Sequence, residues 1–175
     1  MPGRSLGVAD TTVRRYLDIL TGTFMVRQLQ PWFESIGKRQ VKAPKVYLGD
    51  SGVFHSLLGI RDQNELGVHP KVGASWEGFA LESILQLLRA EPDESFFWST
   101  YHEAELDLLL VRGGKRLGFE FKYTDSPRLR PSMRIAMDDL KLDRLTVIFP
   151  GRERFPLAER IHAVGLDAAT SLLER

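Results

Sequence analysis

The sequence predicts an α/β fold, a mixed sheet flanked by helices, from three observations. A long amphipathic run precedes a series of short apolar strands, a Gly-Gly pair joins two of those strands, and a second helical run leads into further strand-like sequence. A chain of 175 residues can bury one solid core, or one domain with a small appendage. Its 43% hydrophobic and 27% charged residues match an ordinary globular composition, which argues against disorder. No apolar run reaches the length of a membrane span and no signal-peptide core opens the chain, so the cytoplasm is the expected compartment. The absence of cysteine excludes disulfides, thiolate metal sites and cysteine nucleophiles.

The first helix is predicted over residues 11–20, where Val13, Tyr16, Leu17 and Leu20 fall on one face and Asp10 is placed to cap the first turn. Val26, Leu29 and Trp32 lie in an extended segment, residues 34–39 with Gly37 form a turn, and residues 41–48 return as a strand. A helix followed by a two-stranded ribbon is the way a winged helix-turn-helix ends. Residues 1–58 are therefore read as a partial winged-helix segment whose earlier helices are missing, and the chain as a fragment of something larger. Residues 1–50 hold eight Lys/Arg against four Asp/Glu, whereas the rest hold sixteen against nineteen. That basic front is compatible with nucleic acid, with Arg14, Arg15, Lys38 and Arg39 as candidate phosphate contacts.

Further along, residues 53–58 suit a short helix and residues 59–72, with Pro70, a linker. Residues 73–90 form the strongest helix prediction, with Trp76, Phe79, Ala80, Ile84, Leu87 and Leu88 on the apolar side and Pro92 stopping it. Strands follow over 95–100, 105–112 and 115–123, the last two joined at Gly113-Gly114 as a tight hairpin. A helix over 130–142, strands over 145–149 and 161–166, and a closing helix over 168–174 complete residues 73–175 as one domain. Its order is α-β-β-β-α-β with a trailing strand and helix.

Polar residues interrupt two of these strands where the pattern favours apolar ones. Asp107 is a lone carboxylate within Leu106-Asp107-Leu108-Leu109-Leu110-Val111. Glu120 and Lys122, two apart, project from one face of their strand while Phe119 and Phe121 take the other. The hairpin brings Asp107 beside Glu120, and a buried carboxylate pair is costly unless a cation lies between them. Mg²⁺ suits such a site, because it takes one or two protein carboxylates together with water and phosphate oxygens; Mn²⁺ is the natural substitute. Asp107 and Glu120 are the expected ligands, Glu77 on the preceding helix supports the metal with Glu82 as a less favoured substitute, and Lys122 orients the attacking water. A Glu-x-Lys triplet alone is commonplace on an edge strand. Its conjunction with the upstream Glu, the Asp and the Gly-Gly turn carries the reading.

Glu77, Asp107 and Glu120-Phe121-Lys122 resemble the PD-(D/E)XK nuclease-like superfamily, whose core has the same α-β-β-β-α-β order. More closely, the chain resembles the C-terminal domain of prokaryotic AAA-type ATPases known as domain of unknown function 4143. That resemblance rests on Thr12-Val13-Arg14-Arg15-Tyr16, Pro31-Trp32, Pro44-Lys45-Val46-Tyr47, Asp50-Ser51-Gly52, Gly73 with Glu77, Phe97-Trp98 and Glu105-Leu106-Asp107. It implies a restriction-endonuclease-like sheet, DNA as the partner, and an ATPase module preceding this region on the same polypeptide. No Gly-x-x-x-x-Gly-Lys-Ser/Thr loop is present, so these residues are not the ATP-hydrolysing part. Thr124-Asp125 after Tyr123 leaves no second basic residue beside Lys122, a role open to Arg134. Arg128, Arg130 and Arg134 form a second basic cluster suited to steering phosphate.

Other motifs carry less. Gly49-Asp50-Ser51-Gly52 looks like a serine-protease nucleophile loop, yet no histidine precedes Ser51, and a strand-to-helix turn is the simpler reading. His55, His69, His102 and His162 lack metal-ligand spacing. Trp76, Phe97 and Trp98 are expected in the core. The leading expectation is a Mg²⁺-dependent phosphodiesterase acting on DNA; the rivals are a silent nucleic-acid-binding or regulatory module and an oligomerisation domain.

Overall fold

A computed structural model of the protein describes residues 7–101 and 104–173. Eight strands form one mixed sheet flanked by helices. In chain order the elements are α1 (Asp10–Gly22), β1 (Val26–Pro31), β2 (Lys45–Leu48), α2 (Ser51–Leu57), α3 (Gln63–Val68), α4 (Val72–Leu87), β3 (Ser95–Ser99), β4 (Glu105–Arg112), β5 (Lys115–Phe121), α5 (Pro131–Asp139), β6 (Arg144–Phe149), β7 (Arg154–Ala158) and β8 (Ile161–Gly165). Short 3₁₀ turns at Pro92–Glu94 and Leu166–Leu172 complete the set. The strand order is β2-β1-β3-β4-β5-β6-β8-β7.

Each face of the sheet carries its own apolar layer. Leu108 and Leu110 of β4 and Phe119 and Phe121 of β5 pack with Ala80, Leu81, Ile84 and Leu85 of α4. On the opposite face Leu106, Leu109, Leu145 and Val147 pack with Met133, Ala136 and Met137 of α5. Alternation of successive side chains sets this division along β5 and from Leu108 onward in β4, and an irregularity in the β3–β4 pairing puts Leu106 on the face of Leu109 instead of that of Leu108. Gly113 and Gly114 have φ of +58° and +75°, the left-handed pair that lets β4 turn tightly into β5. Strand β6 runs parallel to β5 and to β8, so its four central residues are covered on both faces and are apolar but for Thr146.

The ribbon of the front segment is continuous with this sheet. Strand β1 pairs antiparallel with β2, then parallel with β3 through Gln30↔Phe96 and Pro31↔Phe97. Sequence periodicity carries no information on that long-range pairing.

Several expectations need correction. Ala9, not Asp10, is the N-cap of α1, and no side chain caps it; Asp10 is already helical. The expected linker over 59–72 contains α3, whose cap is Asp62, accepting from the amides of Asn64 and Glu65. The returning strand begins only at Lys45, just after Pro44, which has no amide proton to donate. In α4 the buried positions are Ser75, Ala80, Leu81, Ile84 and Leu85, while Phe79 is exposed, so the covered stripe is rotated from the expected one. Strand β7 was unforeseen: Pro156 argues against a strand, but β7 is the sheet edge, where proline is tolerated. The closing segment is 3₁₀ rather than α-helical where it is described, and residue 174 of the expected helix lies outside the described residues. Among the described residues no helix is long and apolar enough to cross a membrane.

Candidate metal-dependent site

A bulge in β4 positions the central carboxylate. Phe96 pairs with Leu109 and Trp98 with Leu106, so Asp107 and Leu108 together oppose Phe97 alone. An extra residue of this kind bends a strand and re-aims a side chain. Asp107 Oδ2 accepts the backbone N–H of Phe121 at 2.9 Å, in line with the end of β5, and the ammonium of Lys122 at 3.3 Å.

Lys122 is the bridge between the two strands. Its Nζ also lies 2.6 Å from Glu120 Oε2, so one cation holds both buried carboxylates, Asp107 at 5% exposure and Glu120 at 4%. The second oxygen of Glu120, Oε1, is buried without a hydrogen-bond partner. Leaving a carboxylate oxygen unpaired in a protein interior is unfavourable, so this atom marks where a ligand would be accommodated.

The sequence reading missed three further members, Tyr47, Lys45 and Glu105. Tyr47 of β2 donates its hydroxyl to Glu77 Oε1 at 2.7 Å. Lys45, also on β2, passes over the ring of Phe97 at 5.5 Å from the centroid. Its Nζ is 3.5 Å from Asp107 Oδ1 and 3.6 Å from Glu77 Oε1, and forms an ion pair with Glu105. The spacing signal was present, since Lys45 and Tyr47 are two apart, as are Glu105 and Asp107. What could not be read was that β1–β2 docks beside β3.

Glu77, Glu105, Asp107, Glu120 and Lys122 line an open cavity of about 490 Å³ with Thr100, Tyr101, Arg130 and Ser132 among its other walls. Its electrostatics follow from crowding. Burial, reinforced by the charge of Asp107 and opposed by Lys122, pushes the Glu120 carboxyl up to about 7. Burial works against the charge of Lys122, but Asp107 and Glu120 outweigh it and hold its pKa above the usual value. Lys45 is raised in the same way, burial being outweighed by Asp107, Glu105 and Glu77. Burial and the Glu77 charge raise Tyr47, which keeps it a hydrogen-bond donor. Four carboxylates thus face two ammonium groups.

The donor set fits Mg²⁺ or Mn²⁺: hard oxygens only, with an unpaired Glu120 oxygen beside a cavity roomy enough for water. Among the described residues no three carboxylate or imidazole side chains already converge as a closed metal cage. Mg²⁺ does not require one, because it keeps most of its waters.

The remaining candidates are scattered. Glu82 is held in a two-pronged ion pair by Arg27 and does not line this cavity, which removes it as the substitute for Glu77. Arg14 and Arg15 are exposed on α1. Lys38 is bound to Asp139 at 2.9 Å, and Arg39 lies over the ring of Tyr101 at 4.5 Å. Arg130 lines the cavity, whereas Arg128 and Arg134 are exposed and do not. Ser51 opens α2 directly after its cap Asp50, as a strand-to-helix turn requires. His55 is hydrogen-bonded to Ser75 Oγ at 2.6 Å, and His102 lies outside the described residues. A larger cavity of about 570 Å³ between β2, α2 and α4 shares Glu77 and Tyr47 with the site but contains no buried carboxylate pair, so the smaller one is where the chemistry concentrates.

Two family models match the chain: a domain of unknown function, DUF8612, over residues 3–64, and a domain of unknown function, DUF4143, over residues 72–169. Among curated proteins the chain is similar to the uncharacterized proteins Mb2031c of Mycobacterium bovis and Rv2008c of Mycobacterium tuberculosis, each 51% identical over 164 residues. The match covers 94% of this chain and 37% of either relative, so the chain spans well under half their length. No solved structure matches. Cavity-lining carboxylates and Lys122 lie within the second match, Lys45 and Tyr47 within the first, and by a match spanning more than half of its residues the chain belongs to the DUF4143 family.

Proposed function

We propose that this chain is a PD-(D/E)XK nuclease-like domain, with a restriction-endonuclease-like sheet, that hydrolyses phosphodiester bonds of DNA with Mg²⁺ or Mn²⁺. The observation that carries the reading is the pair of buried carboxylates, Asp107 and Glu120, bridged by Lys122 with one Glu120 oxygen left unpaired beside a cavity.

Asp107, Glu120 and Glu77 would hold the cation. The chemistry supplied by a bound Mg²⁺ is Lewis-acid polarisation of the phosphodiester and acidification of the attacking water. Lys122 orients that water and offsets the charge that develops on the phosphate. Arg130 at the cavity wall favours phosphate approach, with the exposed Arg128 and Arg134 nearby in sequence adding to the field. In the longer polypeptide, the proposal places this domain, and the front segment as a partial winged helix, behind an AAA-type ATPase module. The test is cleavage of DNA with Mg²⁺ or Mn²⁺ by the wild type beside Asp107→Asn and Lys122→Met. Each substitution is expected to lower the rate by about 100-fold or more. Cleavage that both variants retain belongs to a contaminant and ends the reading.

A second reading is favoured by one observation: Lys45 and Lys122 already neutralise much of the carboxylate charge. A site so balanced can persist as a silent nucleic-acid-binding, regulatory or oligomerisation module of the ATPase. DNA binding that weakens with salt, without cleavage, is its signature.

A further inference from the structure

We infer that Lys45 is an internal stand-in for the divalent cation: it holds Glu77, Glu105 and Asp107 together when no metal is bound, and a metal must displace its ammonium to enter. The inference rests on the metal-site reading above and adds to it a built-in competitor supplied by a different segment of the chain.

The ammonium is ringed by carboxylates on the site's outer side. The Nζ stands among three carboxylates from two elements, Asp107 Oδ1 at 3.5 Å, Glu77 Oε1 at 3.6 Å and Glu105 in direct ion pair. Lys122, by contrast, serves Asp107 Oδ2 and Glu120 Oε2, so the two ammonium groups divide the oxygens of Asp107 between them. A cation bound by Glu77 and Asp107 on this side would compete with Lys45 for Glu77 Oε1 and Asp107 Oδ1. Lys45 has a route out: it stands on the edge strand β2 and its side chain is partly exposed, with the ammonium over the ring of Phe97. Released, it remains a flexible cation beside the cavity, suited to meet a phosphate as a point charge. Glu77 keeps its second contact with the hydroxyl of Tyr47, so the carboxylate stays aimed when the lysine moves away.

Strand β2 lies within the match over residues 3–64, whereas every carboxylate of the site lies within the match over residues 72–169. Through Lys45 the front segment thus regulates occupancy of a site whose carboxylates it does not supply.

The test is Mn²⁺ affinity of the full chain, measured by calorimetry or by the loss of the free-ion paramagnetic resonance signal. Lys45→Met is expected to bind Mn²⁺ at least about tenfold more tightly than the wild type, since a competing charge has been removed from the ligands themselves. Lys45→Arg retains charge and reach, and is expected to bind no more tightly than the wild type. Arg130→Met, which removes a cation from the cavity wall, is expected to change affinity less than about threefold. Equal affinities for wild type and Lys45→Met, or an equal gain from Arg130→Met, overturn the role of Lys45 while leaving the metal site standing. Absence of Mn²⁺ binding in every variant overturns both. Should Lys45→Met fail to fold, binding by Lys45→Arg tighter than that of the wild type overturns the inference on its own.

Discussion

Helices α1 and α4 are both amphipathic in sequence, yet they end in different environments. Helix α4 buries Ala80, Leu81, Ile84 and Leu85 against β4 and β5. Helix α1 buries no residue, and Tyr16 and Ile19 along it are 63% and 52% exposed. Periodicity decides that a segment will be helical and which side will be sticky; burial also needs an opposing surface, and the hydrophobic contribution scales with the area that surface covers. The same contrast divides the polar residues. Glu77 of α4 is joined to Asp107 and Glu120 in one network through Lys45 and Lys122, whereas Arg14 and Arg15 on α1 project into solvent.

This contrast can be tested by breaking each region in turn. The largest expected effect is at the α4 interface: Leu81→Ala is predicted to cost about 2–5 kcal/mol by denaturant unfolding, because it empties a fully buried position. A loss below about 1 kcal/mol would mean that the layer is loosely packed. Next is Gly165 at the end of β8, where an added Cβ would sit 2.2 Å from the carbonyl oxygen of Gly151. Gly165→Ala is expected to destabilise by about 1–3 kcal/mol, since backbone rather than a movable side chain must yield.

Glu120 supplies a pH-dependent case. In the metal-free folded chain its carboxyl keeps a proton up to about 7, whereas an unfolded chain releases it near the ordinary value of 4.5. The folded state therefore binds more protons in that window, and this residue's contribution to stability falls as pH rises from about 4.5 through 7. Glu120→Gln keeps an acceptor for Lys122 and abolishes that fall. Thermal unfolding at pH 5 and pH 8 should show the variant gaining on the wild type at the higher pH, by on the order of 2 kcal/mol. A gap that does not widen with pH would place the carboxyl in a better-solvated setting. The smallest effect is expected on α1, where Ile19→Ser should change stability by no more than about 0.5 kcal/mol. A larger loss there would show that α1 is covered in solution.

Legibility in the sequence followed the range of the interactions. The β4–β5 hairpin, its Gly-Gly turn and the side-by-side placement of Glu120 and Lys122 are properties of neighbouring residues, so alternation and turn chemistry were enough to find them. Helix α3 and strand β7 were missed for local reasons of a different kind: a short polar helix has little periodicity, and a proline hides an edge strand. Lys45 and Tyr47 were seen only as part of a family landmark, because their partners are 32 or more positions away among Glu77, Glu105 and Asp107 once Tyr47 to Glu77, at 30, is set aside. Glu82, the less favoured substitute for Glu77 on the same helix, is taken by Arg27 of β1, a pairing set by strand docking that the helix's own sequence does not record.

By itself the sequence determined the helices α1 and α4, the central hairpin and the identity of Asp107, Glu120 and Lys122 as polar intrusions in apolar strands, since each depends on contacts a few residues apart. Only the tertiary structure decided the parallel pairing of β1 with β3, the bulge that turns Asp107 and the arrival of Lys45 among the carboxylates. Those depend on strands distant in sequence meeting in one register, and the loop between them records nothing of where its ends will dock.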